Sequence, residues 1–179
     1  MRLVAVAFAF FVVVPTAAGK TFKVNWSEAK HVHGGEVDFH VTRIVIGSAR
    51  WSVTAAVTNR SRYTLAVSQP QATGPNGTVW SRNAGFGIAY RDQNPECVPS
   101  KGCVPGLFAF PATRGLPALP QTLGPRRRWS GTFSGAGNPP RTSPLWLTFG
   151  WFEISKAPRD AADDVGIGFN WVTDHTVRL

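Results

Sequence analysis

Apolar and polar residues alternate with a period of two along much of the chain, and this pattern predicts β-strands with one buried face. The clearest example is ARWSVTAAVT, residues 49–58, whose apolar side chains fall on one face: Trp51, Val53, Ala55 and Val57. Its hydroxyl side chains fall on the other face: Ser52, Thr54 and Thr58. A strand with this pattern buries its apolar face and turns its hydroxyl face to solvent.

The same alternation predicts further strands. In EVDFHVTRIVI the apolar positions are Val37, Phe39, Val41 and Val45, and the polar positions between them are Asp38, His40 and Thr42. RWSGTFS places Trp129 and Phe133 on one face. VGIGFNWV groups four apolar side chains: Val165, Ile167, Phe169 and Trp171. Shorter candidates are TFKVNW, YTLAV and FGIAY. PLWLTFGWFEI, residues 144–154, is apolar on both faces and predicts a central strand covered on each side.

These segments together predict an all-β protein of about eight or nine strands, because no stretch carries a helical stripe of apolar residues. An antiparallel sandwich is the first interpretation and a closed β-barrel is the alternative. Ten of the fourteen prolines fall within about 93–144. Proline cannot donate to a strand ladder, so this region predicts long loops and edge strands.

The first eighteen residues have the layout of a secretory signal peptide. Arg2 precedes the apolar run Leu3–Val14, which Pro15 ends before the small residues of Thr16–Ala18. The run is shorter than the roughly 20 apolar residues that a spanning helix needs. We expect a signal peptide at 1–18, secretion to an extracytoplasmic location, and a single domain at 19–179.

The two cysteines lie in PECVPSKGCVPG, with five residues between them. Secreted proteins meet an oxidising environment in which thiols pair. A zinc site needs four ligands, whereas this stretch offers two cysteines. A thioredoxin-like redox pair has two intervening residues, whereas these cysteines have five. Cys97 and Cys103 are therefore predicted to form a disulfide that closes a small loop.

Seven tryptophans occur in the chain. Alternation places Trp51, Trp129 and Trp171 with other apolar residues, which predicts that they belong to the core. Trp80 stands in the polar stretch TVWSRN and is the best candidate for an exposed ring at a binding surface.

The formal net charge is +9, and three consecutive arginines, Arg126, Arg127 and Arg128, precede Trp129. Arg141 lies in the same proline-rich region. A basic secreted protein favours anionic partners such as envelope polymers, lipid headgroups and acidic glycans. Nucleic acid fits a secreted chain less well, and no nucleic-acid-binding motif is present. The alternative is a solvated edge whose charges prevent strand-to-strand aggregation.

Three histidines offer the best pattern for a metal site. His31 and His33 would share one face of a strand, and His40 could be a third ligand for zinc or copper. The alternative is a polar loop that ends in glycines. No paired carboxylates, nucleophile elbow or phosphate loop stands out, so the sequence predicts neither an enzyme nor a cofactor.

Three stretches together carry a family resemblance: WSVTAAVTNRSRYTL, LPQTLGPRRRWSGTFSG and LWLTFGWFEI. They resemble the immunoglobulin-like β-sandwich domains of unknown function in exported bacterial proteins, over roughly residues 36–155. The resemblance implies an extracellular sandwich used for binding or assembly, with no catalytic residues. The disulfide of true immunoglobulin domains joins distant strands, whereas these cysteines are close in sequence.

Three functional hypotheses follow from the sequence. The first is a non-catalytic binding or assembly module at the cell envelope, with an anionic polymer or another extracellular protein as its partner. The second is a protease-inhibitor-like sandwich that presents its proline-rich loops. The third is a metal-binding protein that uses the histidines.

Overall fold

The computed structural model describes residues 19–32, 34–67, 79–80, 85–91 and 107–179. The predicted signal peptide at 1–18, the predicted Cys97–Cys103 disulfide and the side chain of Trp80 lie outside the described residues. His33 also lies outside them.

The described residues form twelve β-strands and one short 3-10 helix, which confirms the all-β prediction. The strands are β1 (Lys20–Val32), β2 (Gly35–Ile46), β3 (Arg50–Asn59), β4 (Thr64–Val67), β5 (Val79–Trp80), β6 (Phe86–Arg91), β7 (Leu107–Pro111), β8 (Arg114–Leu116), β9 (Thr122–Leu123), β10 (Arg128–Ala136), β11 (Leu145–Lys156) and β12 (Gly168–Val172). The 3-10 helix spans Arg159–Asp164. The number exceeds the predicted eight or nine because β5, β8 and β9 are too short to show alternation. No helix among these residues has the length and apolar content that crossing a membrane requires.

The strands form two antiparallel sheets, one of which curls into a half-barrel. The first sheet has the order β1-β2-β3-β10-β8. The second follows the order β5-β7-β6-β11-β4-β9, with β12 paired to β11. β11 is the central strand that its two apolar faces predict, because it pairs with β6, β4 and β12.

Aromatic rings fill the space between the sheets. Phe86 of the second sheet contacts Trp129 and Phe133 of the first sheet edge to face, with ring centroids 5.7 and 5.4 Å apart. The tryptophans predicted for the core are buried there: Trp51, Trp129 and Trp171 are 2%, 6% and 7% exposed. The core prediction for these three residues is therefore confirmed.

The alternation predicted for β2 is correct only as far as Val41. Val41 pairs with Ala55 and Arg43 pairs with Thr54, so Thr42 is an extra residue in the strand. Such a β-bulge exchanges the faces of every following side chain. Ile44 and Ile46 consequently point into the core, whereas Val45 is only half-buried, contrary to the sequence pattern.

The prediction that VGIGFNWV is one apolar strand is wrong for its first half. Val165 and Ile167 are 51% and 47% exposed, and β12 begins only at Gly168. The preceding 3-10 helix continues into a turn at Gly166, whose positive φ of 93° prevents an extended strand. Trp171 alone is fully buried in the core.

The proline-rich region predicted at about 93–144 contains β7 to β10 in its described part. Residues 92–106, which hold only part of the proline-rich loops of the inhibitor hypothesis, lie outside the described residues.

The turn between β3 and β4 is organised around Asn59, which has no exposed surface. Its amide nitrogen donates to the carbonyl oxygens of Tyr63, Leu123 and Gly124 at 2.8, 2.9 and 3.1 Å. Its carbonyl oxygen accepts from the backbone N–H and the hydroxyl of Ser61 at 3.0 and 2.6 Å. Asn59 thereby joins the end of β3, the start of β4 and the turn after β9.

Candidate binding face on the first sheet

The first sheet has one face against the core and one that points away from it, which we name the outer face. In β3 and β10 the even-numbered side chains lie on the outer face, because the odd-numbered ones include the buried Trp51, Val53, Trp129 and Phe133. The outer residues of these strands are Arg50, Ser52, Thr54, Ala56, Thr58, Arg128, Ser130, Thr132, Ser134 and Ala136. Most of them carry a hydroxyl group.

Strand register aligns the outer residues in rows across the sheet, since directly opposed residues point to the same side. One row contains Ala29, Asp38, Thr58 and Arg128. The next contains Ser27, His40, Ala56 and Ser130. The third contains Lys23, Arg43, Thr54, Thr132 and Leu116. The fourth contains Thr21, Val45, Ser52, Ser134 and Arg114.

The outer face is strongly cationic. Its exposed basic residues are Lys23, Arg43, Arg50, Arg60, Arg114 and Arg128. The carboxylates on the same face of the described strands are Glu36 and Asp38. Asp38 pairs with Arg60, and Glu36 lies 3.7 Å from the imidazole of His31, which is charged only when protonated. The remaining positive charges are therefore available to an anionic ligand.

Asp38 holds the side chain of Arg60 in place. The pKa of Arg60 is raised above its ordinary value, first by the hydrogen bond to Asp38 and then by the negative charge of that carboxylate. Arg62 belongs to a different surface, where its guanidinium contacts Asp160 at 2.6 Å. The pKa of Arg62 is also raised, first by a hydrogen bond to Tyr63 and then by one to Asp160. Both guanidinium groups stay charged over the whole pH range in which proteins fold.

Two grooves lie on the outer face. The larger, of about 540 Å³, is lined by side chains that include Arg128, Arg60 and His40. The smaller, of about 280 Å³, is lined by residues that include Arg50 and Ser134 at the opposite end of the strands. Arg128 and Ser134 are six positions apart in β10, so the two grooves are ends of a strip about 20 Å long.

Hydroxyl groups cover the strip between these ends. The hydroxyls of Thr54 and Thr132 share a hydrogen bond of 3.1 Å. Within the described part of the chain, four other hydroxyls of the strip make no side-chain hydrogen bond: Ser52, Thr58, Ser130 and Ser134. These groups can both donate to and accept from a ligand.

The structure separates the basic residues that the sequence singled out. Of the three consecutive arginines, Arg128 alone lies in β10 on the outer face, while Arg126 and Arg127 belong to the exposed turn before it. Arg141 lines a different pocket of about 200 Å³ together with Lys20. Five further residues complete the cationic face, and their convergence depends on strand register and a bulge: Lys23, Arg43, Arg50, Arg60 and Arg114.

Arg126 occupies an unfavourable backbone conformation. The N–H of Arg127 donates to the carbonyl of Gly124 at 3.1 Å, and Pro125 and Arg126 are the central residues of this turn. Arg126 has a φ of 56°. Its position after Pro125 is that of the third residue of a type II turn, which favours glycine because a Cβ is strained at positive φ.

We expect Arg126→Gly to stabilise the fold by about 0.5–1 kcal/mol, because relief of the strain exceeds the added flexibility of the unfolded chain. A rise in melting temperature of a few degrees, measured by circular dichroism, would agree with this expectation. Arg127→Gly is the matched control, since Arg127 does not have a positive φ. Stabilisation by both variants, or by neither, would contradict the assignment of strain to Arg126.

The histidines of the metal hypothesis are not brought together in the described part of the structure. His31 pairs with Glu36, and its side chain is 90% exposed. The Nδ1 atom of His40 shares a hydrogen bond of 2.9 Å with Ser27. The row that contains His31 and the row that contains His40 are four residues apart along the strands, which corresponds to about 13 Å. Two imidazoles at this separation cannot bind the same metal ion. No group of three potential metal ligands occurs among the described residues.

A carboxylate–imidazole pair that the sequence did not indicate fastens the segment after β12 to β1. The side chain of Glu28 is 8% exposed, and its oxygen lies 2.5 Å from Nδ1 of His175. The carboxylate also accepts from the backbone N–H groups of Asp174 and His175, at 3.0 and 3.3 Å. The ring of His175 stacks on Trp26 with centroids 5.2 Å apart. These contacts join β1 of the first sheet to the segment that follows β12 of the second sheet.

Comparison with known proteins gave no match to a protein-family model, to a curated protein or to a solved structure.

Proposed function

We propose that this protein is a non-catalytic binding module that holds an anionic polymer of the cell envelope on its outer face. The observation that carries the proposal is the collection of six exposed basic residues on one sheet face, of which only Arg60 pairs with a carboxylate in the described part of the chain. A surface of one charge sign attracts a polymer of the opposite sign and accelerates its association.

The signal-peptide pattern at 1–18 and the cysteine spacing support a secreted, disulfide-containing form of this module. The resemblance of its strand and turn motifs supports an immunoglobulin-like sandwich. Secretion would bring the outer face into contact with anionic polymers of the envelope. The two carboxylates of this face, Asp38 and Glu36, are too few to balance the positive charge of its basic residues.

We expect Arg43→Glu combined with Arg128→Glu to abolish most of the binding of the purified protein to envelope fragments in low salt. Each exposed ion pair that is lost removes about 0.2–1 kcal/mol, and the two glutamates add repulsion at both positions. Binding is measured by cosedimentation across a salt series. Wild-type binding should fall as salt rises, because contacts between exposed charges are screened beyond about 10 Å at 0.1 M salt.

The matched control is Arg159→Glu combined with Arg178→Glu, which changes the net charge equally. Arg159 belongs to the 3-10 helix and Arg178 to the segment after β12, so both are outside the outer face. Equal loss of binding in the two double variants would mean that net charge alone acts. Unchanged binding in the outer-face variant would rule out the outer face as the site.

A further inference from the structure

We infer that the ligand of the outer face is an acidic polysaccharide that lies along β3 and β10, with its sugar hydroxyls on the hydroxyl strip and its acid groups on the flanking arginines. This inference rests on the proposed function and specifies its ligand. The strip is elongated, so it suits a linear chain better than a compact ion. The chemical groups on the strip indicate which class of linear anionic polymer fits it best.

The hydroxyl groups distinguish a polysaccharide from a polyphosphate. A phosphate chain carries acceptors alone, whereas each sugar hydroxyl is both a donor and an acceptor, like the side chains of serine and threonine. Ser52, Thr58, Ser130 and Ser134 offer both functions without a partner among the described residues. A surface specialised for phosphate would instead place basic side chains or backbone N–H groups at these positions.

The ends of the strip supply the contacts for acid groups. Arg128 stands at one end, and Arg50 and Arg114 stand near the other. A guanidinium group binds a carboxylate or sulfate through two parallel hydrogen bonds. The strip therefore has basic residues at both ends and hydroxyl groups between them. This arrangement matches a polysaccharide, in which acid groups alternate with neutral hydroxyl groups along the chain.

The apolar content of the strip also fits a sugar chain better than single-stranded nucleic acid. Leu116 lies opposite Thr132 and is 69% exposed, so it offers a small apolar surface to the C–H face of a sugar ring. In the four rows of the outer face, no Phe, Tyr or Trp is present, and the imidazole of His40 already shares a hydrogen bond with Ser27. Sequence-tolerant binding of single strands normally depends on bases stacked on aromatic rings.

The test is the combined substitution Thr54→Val and Thr132→Val. The two hydroxyls bond to each other, and exchange of both partners for groups of similar shape leaves stability nearly unchanged. Thermal unfolding checks that the variant folds like the wild type. The probes are a short oligogalacturonide, a polyphosphate and an oligothymidylate of equal charge, and their affinities are measured by titration calorimetry at low salt.

We expect the wild type to bind the oligogalacturonide most tightly and the double valine variant to bind it about tenfold more weakly, with polyphosphate binding unchanged. Arg128→Ala should weaken the binding of both probes. An oligogalacturonide affinity that the valines leave unchanged, or a tighter complex with polyphosphate or oligothymidylate, would overturn the inference while the proposed function stands. Insensitivity of all three probes to Arg128→Ala would overturn the proposed function as well.

Discussion

Replacement of Asn59 with alanine should lower the free energy of unfolding by about 3 kcal/mol or more. The substitution deletes five hydrogen bonds in a site that water does not reach. Three carbonyl oxygens and the backbone N–H of Ser61 lose a partner, and each buried polar group without one costs about 1–3 kcal/mol. Relaxation of the turn and entry of water recover part of this sum, so the expected loss is smaller than the full total.

Urea unfolding followed by tryptophan fluorescence measures the effect, as a shift of the midpoint at unchanged slope. Asn138→Ala is the matched control, because Asn138 is exposed and its loss should cost less than about 0.5 kcal/mol. Asn59→Asp separates donors from acceptors: it keeps the oxygen that Ser61 contacts and removes the donors to Tyr63, Leu123 and Gly124. A loss below about 1 kcal/mol in both Asn59 variants would show that the network is dispensable.

Sequence pattern was sufficient for the strands whose alternation is long and uninterrupted. β3 and β10 have the buried faces that their patterns predict, and β11 is central as its two apolar faces imply. Alternation fails where one extra residue enters a strand, because the bulge at Thr42 exchanges the faces after it while the sequence shows no break.

For the outer face, the sequence predicted only the sign of the charge. The net positive charge and the three consecutive arginines predicted an anionic partner. The sequence therefore favoured Arg126 and Arg127 as well as Arg128, but these two residues belong to the turn before β10. Arg43 reaches the row of Thr54 only because of the bulge. Pairing between strands that are far apart in the chain decides such rows, and a period-two pattern contains no information on partner or register.

The same limit explains why the pair of Glu28 and His175 was not predicted. These residues are 147 positions apart, and each stands in an ordinary polar context. A buried carboxylate is satisfied by whichever donors the fold brings to it, here two backbone N–H groups and an imidazole. The tertiary arrangement alone reveals that a glutamate in an edge strand anchors the last segment of the described chain.

Replacement of Phe39 with alanine should lower the free energy of unfolding by about 3–5 kcal/mol, the usual cost of removing a buried aromatic ring. Phe39 is 2% exposed and projects from β2 into the space between the sheets. Its ring lies against those of Phe149, Trp171 and Phe152, with centroids 4.3, 4.6 and 5.8 Å apart. All three belong to the second sheet, so the loss acts directly on the packing between the two sheets.

Urea unfolding followed by the combined fluorescence of the tryptophans gives the free-energy change. A domain is stable by about 5–15 kcal/mol, so the alanine variant could lose most of its folded population. Phe39→Leu keeps much of the apolar volume and should cost less than half as much. Phe22→Ala, at a half-buried position of β1, controls for loss of an aromatic ring at the rim. A ring at the rim buries much less apolar area than a ring in the core, so Phe22→Ala should cost less stability than Phe39→Ala. Equal losses of unfolding free energy in the two variants would contradict the central position of Phe39.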